Sequence, residues 1–316
     1  MLSFLLRRGL LALLIVFLVS VFAFSLMHIL PGDPVRIALG EAASQDVVNQ
    51  YRARYHLDEP LVSQYGLWVS GMVRGDFGQS ILYNEDVGAL MASKLPVTLA
   101  LGVPGMILSI VVGLLFGVLT AVKRGTWIDQ AVSSLANIGI GTPLFWIAIF
   151  GIFLFGLKLR VLPLQGYVSP TQNFGQYLDK AILPVVCMSV GFIAVIARQT
   201  RSNMLEVINQ DFIRTARANG FPEGSILFRH ALKNALIPVI TIIGLQMRII
   251  VGGSVIIERV FNIPGIGALL MRAITNRDYL IVQACVLVIS LVTVVLNLIV
   301  DIAYGIVDPR IRKSWS

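Results

Sequence analysis

The sequence predicts an all-α membrane protein whose chain crosses the bilayer six times. Of its 316 residues, 56% are hydrophobic and only 13% are charged, and the mean hydropathy is +0.82. This charged fraction is about half that of an ordinary soluble protein, roughly 25%. The hydrophobic residues form long continuous runs and not the alternating pattern of a membrane β-barrel. These observations exclude both a soluble globular domain and a disordered chain.

Six apolar runs approach or exceed the length of about 20 residues that a membrane-spanning helix needs. They cover residues 9–30, 97–122, 131–157, 181–197, 235–257 and 280–306. The first run is longer than the core of a signal peptide, roughly 7–15 residues, and no small-residue cleavage site follows it. We therefore interpret the first run as a retained helix. In the third run, Thr142-Pro143 predicts a kink.

The distribution of positive charge predicts that both termini lie in the cytoplasm. Arg7 and Arg8 precede the first span, and cytoplasmic segments of membrane proteins are enriched in such residues. The same rule accounts for the excess of 25 Lys and Arg over 17 Asp and Glu, and no basic–aromatic cluster points to a nucleic-acid partner. We expect one transmembrane domain over 1–316, with an external loop region at 31–96 and a cytoplasmic loop at 198–234. In the external region, residues 45–55 are predicted to be helical.

The sequence contains no assembled set of catalytic residues. It lacks the G-x-x-x-x-G-K-[S/T] motif, so we do not expect the chain to bind and hydrolyse ATP through a P-loop. The segment around Ser189 lacks the first glycine of a nucleophile elbow, and we interpret Ser189 as a helix-packing residue. Cys187 and Cys285 lie in separate apolar runs, which predicts neither a disulfide nor a metal site. We therefore expect no catalytic residue, metal ion or cofactor on this chain.

The predicted cytoplasmic loop contains two helical parts joined by a turn, in the stretch DFIRTARANGFPEGSILFRHALKNALIP at 211–238. Gly220 suits the end of the first helix and Pro222 the start of the next. Glu223 is favourable near that start because it complements the helix dipole. The composition leaves two interpretations open: a docking surface for a partner protein, or an amphipathic segment whose arginines face anionic lipid.

A family resemblance favours the docking interpretation. Residues 214–220, RTARANG, are similar to the E-A-A-x-x-x-G coupling motif of ABC import permeases: Ala216 and Gly220 match, whereas Arg214 and Thr215 replace Glu and Ala. Five further segments fit in order, at 30–34, 57–61, 75–78, 258–267 and 308–310. The chain therefore resembles, over nearly its whole length, permease subunits of bacterial ABC importers of the dipeptide/oligopeptide type, a family that includes glutathione and nickel importers.

The resemblance implies the fold of type I ABC importer permeases, in the bacterial cytoplasmic (inner) membrane. It implies as partners a homologous second permease, two P-loop ATPase subunits that bind the ATP, and an extracytoplasmic substrate-binding protein. The chain would form the path for peptides or similar small solutes. The residues expected to couple it to the ATPases are Arg214, Thr215, Ala216, Arg217, Ala218, Gly220, Phe221, Pro222 and Glu223.

Two polar residues of the fifth apolar run are candidates for the translocation path, namely Gln246 and Arg248. An arginine in mid-membrane costs at least about 2.5–3.5 kcal/mol, so Arg248 needs water or a partner, and a purely structural role stays open. The alternative function is a self-sufficient secondary transporter or channel, which would usually carry further ionisable groups in its spans. In the second run, Gly113 and Gly117 predict close helix packing.

Overall fold

The computed structural model describes residues 2–29, 33–40, 43–80 and 83–307, and these are almost entirely helical. The helices are α1 (Leu2–Ile29), α2 (Pro34–Leu39), α3 (Gln45–Arg54), α4 (Leu61–Val73), α5 (Val87–Val122), α6 (Trp127–Gly141), α7 (Leu144–Gly151), α8 (Phe174–Ile208), α9 (Asp211–Ala218), α10 (Glu223–Ser225), α11 (Leu232–Val260), α12 (Ile266–Thr275) and α13 (Tyr279–Val307). Two π-helical segments, Ile152–Lys158 and Ile226–Ala231, follow α7 and precede α11.

The described helices confirm the predicted all-α membrane fold. Five of them are long and apolar enough to cross a membrane: Leu6–Ile29, Val87–Val122, Phe174–Ile208, Glu223–Met247 and Tyr279–Ile302. A sixth crossing results if the bent pair Trp127–Gly141 and Leu144–Lys158 counts as one span. The predicted helix at 45–55 is also confirmed, as α3.

The predicted kink at Thr142-Pro143 is a break in which the helix axis turns by 109°. Pro143 precedes the first residue of α7 and has no backbone N–H to continue the hydrogen-bond ladder of α6. The backbone N–H and the hydroxyl of Thr142 both donate to the carbonyl of Ile138, at 2.9 and 2.7 Å. Thr142 thus provides hydrogen bonds at the end of α6, and α7 starts in a new direction.

Two helices extend well beyond their apolar runs. α5 begins ten residues before the predicted start at 97, and α8 runs from Phe174 to Ile208 although its apolar run covers only 181–197. Asn173 caps the start of α8 by accepting a hydrogen bond from the backbone N–H of Gln176 at 3.0 Å. At the other end, Met204 and Val207 are buried. Residues 198–208, expected in a loop, are therefore helical because that end packs into a core.

Cα packing divides the chain into two compact units. The first comprises Leu99–Ile263 and the part of α13 from Leu296 onward. In it, α8 packs against α5, α6 and α11. A Cβ atom added to Gly113 would lie 2.8 Å from the Cβ of Ile196, and one added to Gly117 would lie 2.4 Å from the Cβ of Thr200. These distances confirm the predicted close packing at both glycines.

The packing role predicted for Ser189 is also confirmed. Ser189 is fully buried, and its hydroxyl lies 2.6 Å from the carbonyl oxygen of Val185 and 3.0 Å from that of Gly105. The hydroxyl thus fastens α8 to α5 where Gly105 permits their backbones to approach. Cys187 and Cys285 are both buried, and no disulfide joins them.

The second unit comprises Leu2–Thr98 and Pro264–Val295. Its hydrophobic core joins the start of α5 to α12 and α13, and the buried members include Val87, Met91, Ile266 and Ile281. In the same unit, Asp33 accepts a hydrogen bond from the backbone N–H of Val35 and pairs with Arg52 at 2.9 Å. This ion pair fixes the start of α2 against α3.

Candidate functional site

The elbow, defined here as residues 211–231, is a short amphipathic helix followed by a tight turn. Ile213 and Ala216 are buried on one side of α9, whereas the remaining residues of α9 are exposed. The buried side belongs to a hydrophobic cluster that also contains Ala121, Met204, Val207, Ile226, Ala231 and Ala235. The elbow therefore has its base in the ends of α5 and α8 and in the start of α11.

A glycine in the left-handed region forms the turn of the elbow. Gly220 has φ +78°, and its backbone N–H donates to the carbonyl of Arg217 at 3.0 Å. The N–H of Phe221 donates to the carbonyl of Ala216 at 3.3 Å. These two bonds form a Schellman motif, which completes the last carbonyls of α9. No other atom lies within 4 Å of a Cβ added to Gly220, so the backbone angle is what requires glycine here.

An ion pair spans the turn and links its two sides. The Nε of Arg217 donates to Oε1 of Glu223 at 2.6 Å, and a terminal guanidinium nitrogen lies 3.4 Å from Oε2. This carboxylate raises the pKa of the Arg217 guanidinium above its usual value. Together with the Schellman bonds, the pair links α10 to α9 across the turn.

The outer surface of the elbow exposes aromatic side chains. Phe212, Phe221 and Phe228 are 40%, 50% and 65% exposed. The ring of Phe221 packs edge-on against His230, with 5.8 Å between ring centroids. Apolar groups that cluster at a polar surface mark a contact with another protein or with a membrane. The elbow thus combines a fixed base with a surface suited to a partner.

The structure brings together all nine residues predicted to couple the chain to ATPases. Five of them lie in α9, three form the turn, and Glu223 begins α10. The path candidate Gln246 lies in α11 and is 7% exposed. The side chain of Arg248 lies outside the described part of the structure. The functional roles of all these residues stay predictions.

The structure contains a close ion pair that the sequence does not reveal. Nε and a terminal nitrogen of Arg201 donate to the two carboxylate oxygens of Asp129 at 2.7 and 2.8 Å. The backbone N–H of Gly125 and the hydroxyl of Ser133 also bond this carboxylate. Arg201 falls in the segment expected to form a loop, and 72 residues separate it from Asp129, so local spacing does not pair them. The only local signal was an acidic residue in the first turn of an apolar helix.

Comparison with known proteins shows the family. Residues 113–313 match the model of the family described as "Binding-protein-dependent transport system inner membrane component". Residues 1–102 match the model of the N-terminal part of such membrane components. The two matches together cover nearly the whole chain, including both of its compact units.

Similar proteins match along their whole length. A protein of Sinorhizobium fredii, named a probable peptide ABC transporter permease protein, is 42% identical over 309 residues, which is 98% of this chain and 99% of that one. The dipeptide transport system permease protein DppB of Alkalihalophilus pseudofirmus is 36% identical over 332 residues, covering 99% of this chain and all of that one.

A solved structure supports the fold. An amino acid ABC transporter crystallised with histidines aligns with a TM-score of 0.52 at 16% identity, over 69% of this chain and 94% of that one. At this identity the likeness concerns the fold alone. The family matches, the full-length relatives and the apolar helices establish that the chain belongs to the family of inner-membrane components of binding-protein-dependent transport systems, as a multi-pass permease subunit of an ABC importer.

Proposed function

We propose that this chain forms, with a homologous second permease, the path by which short peptides enter the cell. The proposal is supported by relatives named as peptide and dipeptide permeases, which match at 36% to 42% identity over full length. An extracytoplasmic binding protein would deliver the peptide. The predicted external loop region, residues 31–96, is the natural candidate for contact with that protein.

The elbow would couple the path to ATP hydrolysis on two partner ATPase subunits. The position of the elbow supports this coupling. Its buried residues Ile213, Ala216 and Ile226 belong to one hydrophobic core with the ends of α5 and α8. Packed interiors transmit displacement because they compress little. A partner that moves the exposed face of the elbow would therefore move the helices behind it between two packed arrangements.

ATP would bind only to the partner subunits. The sequence has no P-loop, so this chain would serve as the transport subunit and would need no cofactor of its own. The alternative, a self-sufficient carrier or channel, predicts uptake that continues without the ATPases. Peptide uptake into proteoliposomes, with and without ATP and the ATPase subunits, separates the two functions.

Crosslinking tests the proposed docking surface. Gly224 is exposed, and no atom lies within 4 Å of a Cβ added there, so Gly224→Cys should be tolerated. We expect this thiol to crosslink to an ATPase subunit in the assembled complex. The native Cys187 and Cys285 are buried and should not react. The control is Lys123→Cys, an exposed position just after α5. Crosslinking at Lys123→Cys but not at Gly224→Cys would contradict the proposed docking surface.

A further inference from the structure

A cavity of about 280 Å³ lies within the unit formed by Leu2–Thr98 and Pro264–Val295. Its walls come from α1, α3, α4 and α13 and from the glycine-rich segment after α4. The volume is just below the range of about 300–1,000 Å³ that is usual for drug-sized ligands. It therefore suits a small solute better than a protein segment.

The most informative lining residue is Gln283 on α13. It is 2% exposed, and neither its amide nitrogen nor its amide oxygen has a hydrogen-bond partner among the described residues. Buried polar side chains nearly always have partners, so this amide calls for a group that the described residues do not supply. A ligand that accepts one hydrogen bond and donates another would satisfy both atoms.

A second glutamine that lines the cavity, Gln64, differs from Gln283 because its amide has hydrogen-bond partners within the chain. Its amide nitrogen donates to the carbonyls of Leu57 and Glu59 at 3.1 and 2.7 Å, and its amide oxygen lies 3.1 Å from Nε2 of His28. Gln64 thus stabilises the wall of the cavity through hydrogen bonds within the chain. Only Gln283, of these two glutamines, retains its donor and its acceptor for an occupant.

The rest of the lining offers aromatic surface and opposite charges. The rings of Phe24 and Trp68 lie 5.7 Å apart, and Phe77 also lines the cavity. Arg54 and Asp76 are exposed lining residues. Arg54 uses one guanidinium nitrogen to bond Gln79, and an Oδ1 of Asp76 accepts the N–H of Gly78. A guanidinium has five N–H donors and a carboxylate about four acceptor positions, so both keep capacity for a ligand.

We propose that this cavity binds a short zwitterionic peptide. Arg54 would pair with the carboxylate, Asp76 with the ammonium group, and Gln283 with the peptide N–H and C=O. Phe24 and Trp68 would contact an apolar side chain. The inference rests on the proposed peptide function and adds to it a peptide site on the permease itself.

A photoreactive dipeptide tests this site in the assembled complex of both permeases and the ATPases, without the binding protein. The probe is alanyl-p-benzoylphenylalanine, whose benzophenone should reach the aromatic wall. We expect labelling of this chain near Phe24 or Trp68, mapped by mass spectrometry and displaced by alanyl-phenylalanine. The same peptide with an acetylated amine and an amidated carboxyl should not displace the label, because it lacks both charges. Equal displacement by the blocked peptide, or displacement by lipid alone, would overturn the proposal.

Variants then test the individual contacts. Gln283→Leu removes the amide with little change in shape, and it should raise the dipeptide concentration needed for displacement about tenfold or more. It removes a buried unpartnered group, so folding should not suffer. Arg54→Gln should weaken displacement as well. The matched control is Gln199→Leu on α8, whose side chain bonds Asn203 in the other unit and should leave displacement unchanged.

Peptide uptake with the binding protein present separates this inference from the proposed function. If ATP-driven uptake of alanyl-phenylalanine proceeds but Gln283→Leu leaves labelling and displacement unchanged, the cavity proposal is wrong and the peptide function stands. If the dipeptide displaces the label as expected but no peptide is taken up under any condition, the cavity proposal is supported and the transport proposal fails.

Discussion

Arg201 and Asp129 form a two-point ion pair that ties α8 to the first turn of α6, with N–O distances of 2.7 and 2.8 Å. Asp129 is 5% exposed and the side chain of Arg201 is 31% exposed. The backbone N–H of Gly125 bonds the same carboxylate, so the turn after α5 joins this link. One carboxylate thus connects α8 with the α5–α6 turn.

Asp129→Asn should destabilise the protein. The substitution leaves a partly buried guanidinium with a neutral partner that accepts through only one atom, and losses of this kind cost about 1–3 kcal/mol. The change in stability is measured by thermal unfolding in lipid nanodiscs. A thiol-reactive dye reports unfolding when the buried Cys187 and Cys285 become exposed. Asp211→Asn is the control, because its pair with Arg214 is 3.5 Å long and highly exposed, and it should have little effect. Equal losses for both variants would contradict the structural role assigned to Asp129.

Gly117→Ala should destabilise the contact between α5 and α8. The added Cβ would lie 2.4 Å from the Cβ of Thr200 and 2.7 Å from the backbone oxygen of Ala197, so the helices must separate. Overpacking of this kind costs about 1–3 kcal/mol. The matched variant is Gly191→Ala in α8, whose Cβ would have its nearest neighbour at 3.8 Å. The same unfolding measurement should show a loss only for Gly117→Ala, and unchanged stability there would argue against the close packing.

The stabilising contribution of Glu59 should disappear at acid pH. The hydroxyl of Ser63, which donates to Oε2 at 2.5 Å, and then the ring of His56 hold the pKa of Glu59 below its usual range. A carboxyl whose pKa is lowered by folding contributes stability above its unfolded pKa and loses that contribution as the pH falls through the folded value. The difference in unfolding temperature between the native protein and Glu59→Gln should therefore shrink as the pH is lowered below 4.5, the ordinary pKa of a glutamate carboxyl. A difference that grows over this acid range would contradict the assignment.

The sequence predicted the helices and the elbow because their signals are local. Continuous apolar runs indicated the spans, and Gly220 followed by Pro222 indicated a helix end and a helix start that the structure contains. The same signals underestimated the length of α8. Its end after residue 197 is polar on one side and packed on the other. Burial on one face, as at Met204 and Val207, extends a helix beyond its apolar run.

The remaining features depend on contacts between distant parts of the chain. The residues near Asp129 in the sequence do not indicate that it pairs with Arg201. The residues near Gln283 do not indicate that its amide is buried. Gln283 resembles an ordinary polar residue in a span, and only the fold places it at a cavity that Phe24 and Arg54 also line. The direction of α7 likewise follows from three-dimensional packing, although Pro143 marks where the break occurs.

Transport by a Gly220→Pro variant tests most directly whether the elbow couples ATP hydrolysis to peptide movement. Proline cannot adopt φ +78° and has no N–H for the bond to the carbonyl of Arg217, so the turn must change. Gly125→Ala is the control, because Gly125 has φ +79° and open space around it in a different turn. In proteoliposomes, Gly220→Pro should insert and assemble with an ATPase that still hydrolyses ATP, while dipeptide uptake falls at least tenfold relative to the control. Uptake at the level of the control, with the same ATP consumed per peptide, would show that the elbow does not couple the two processes.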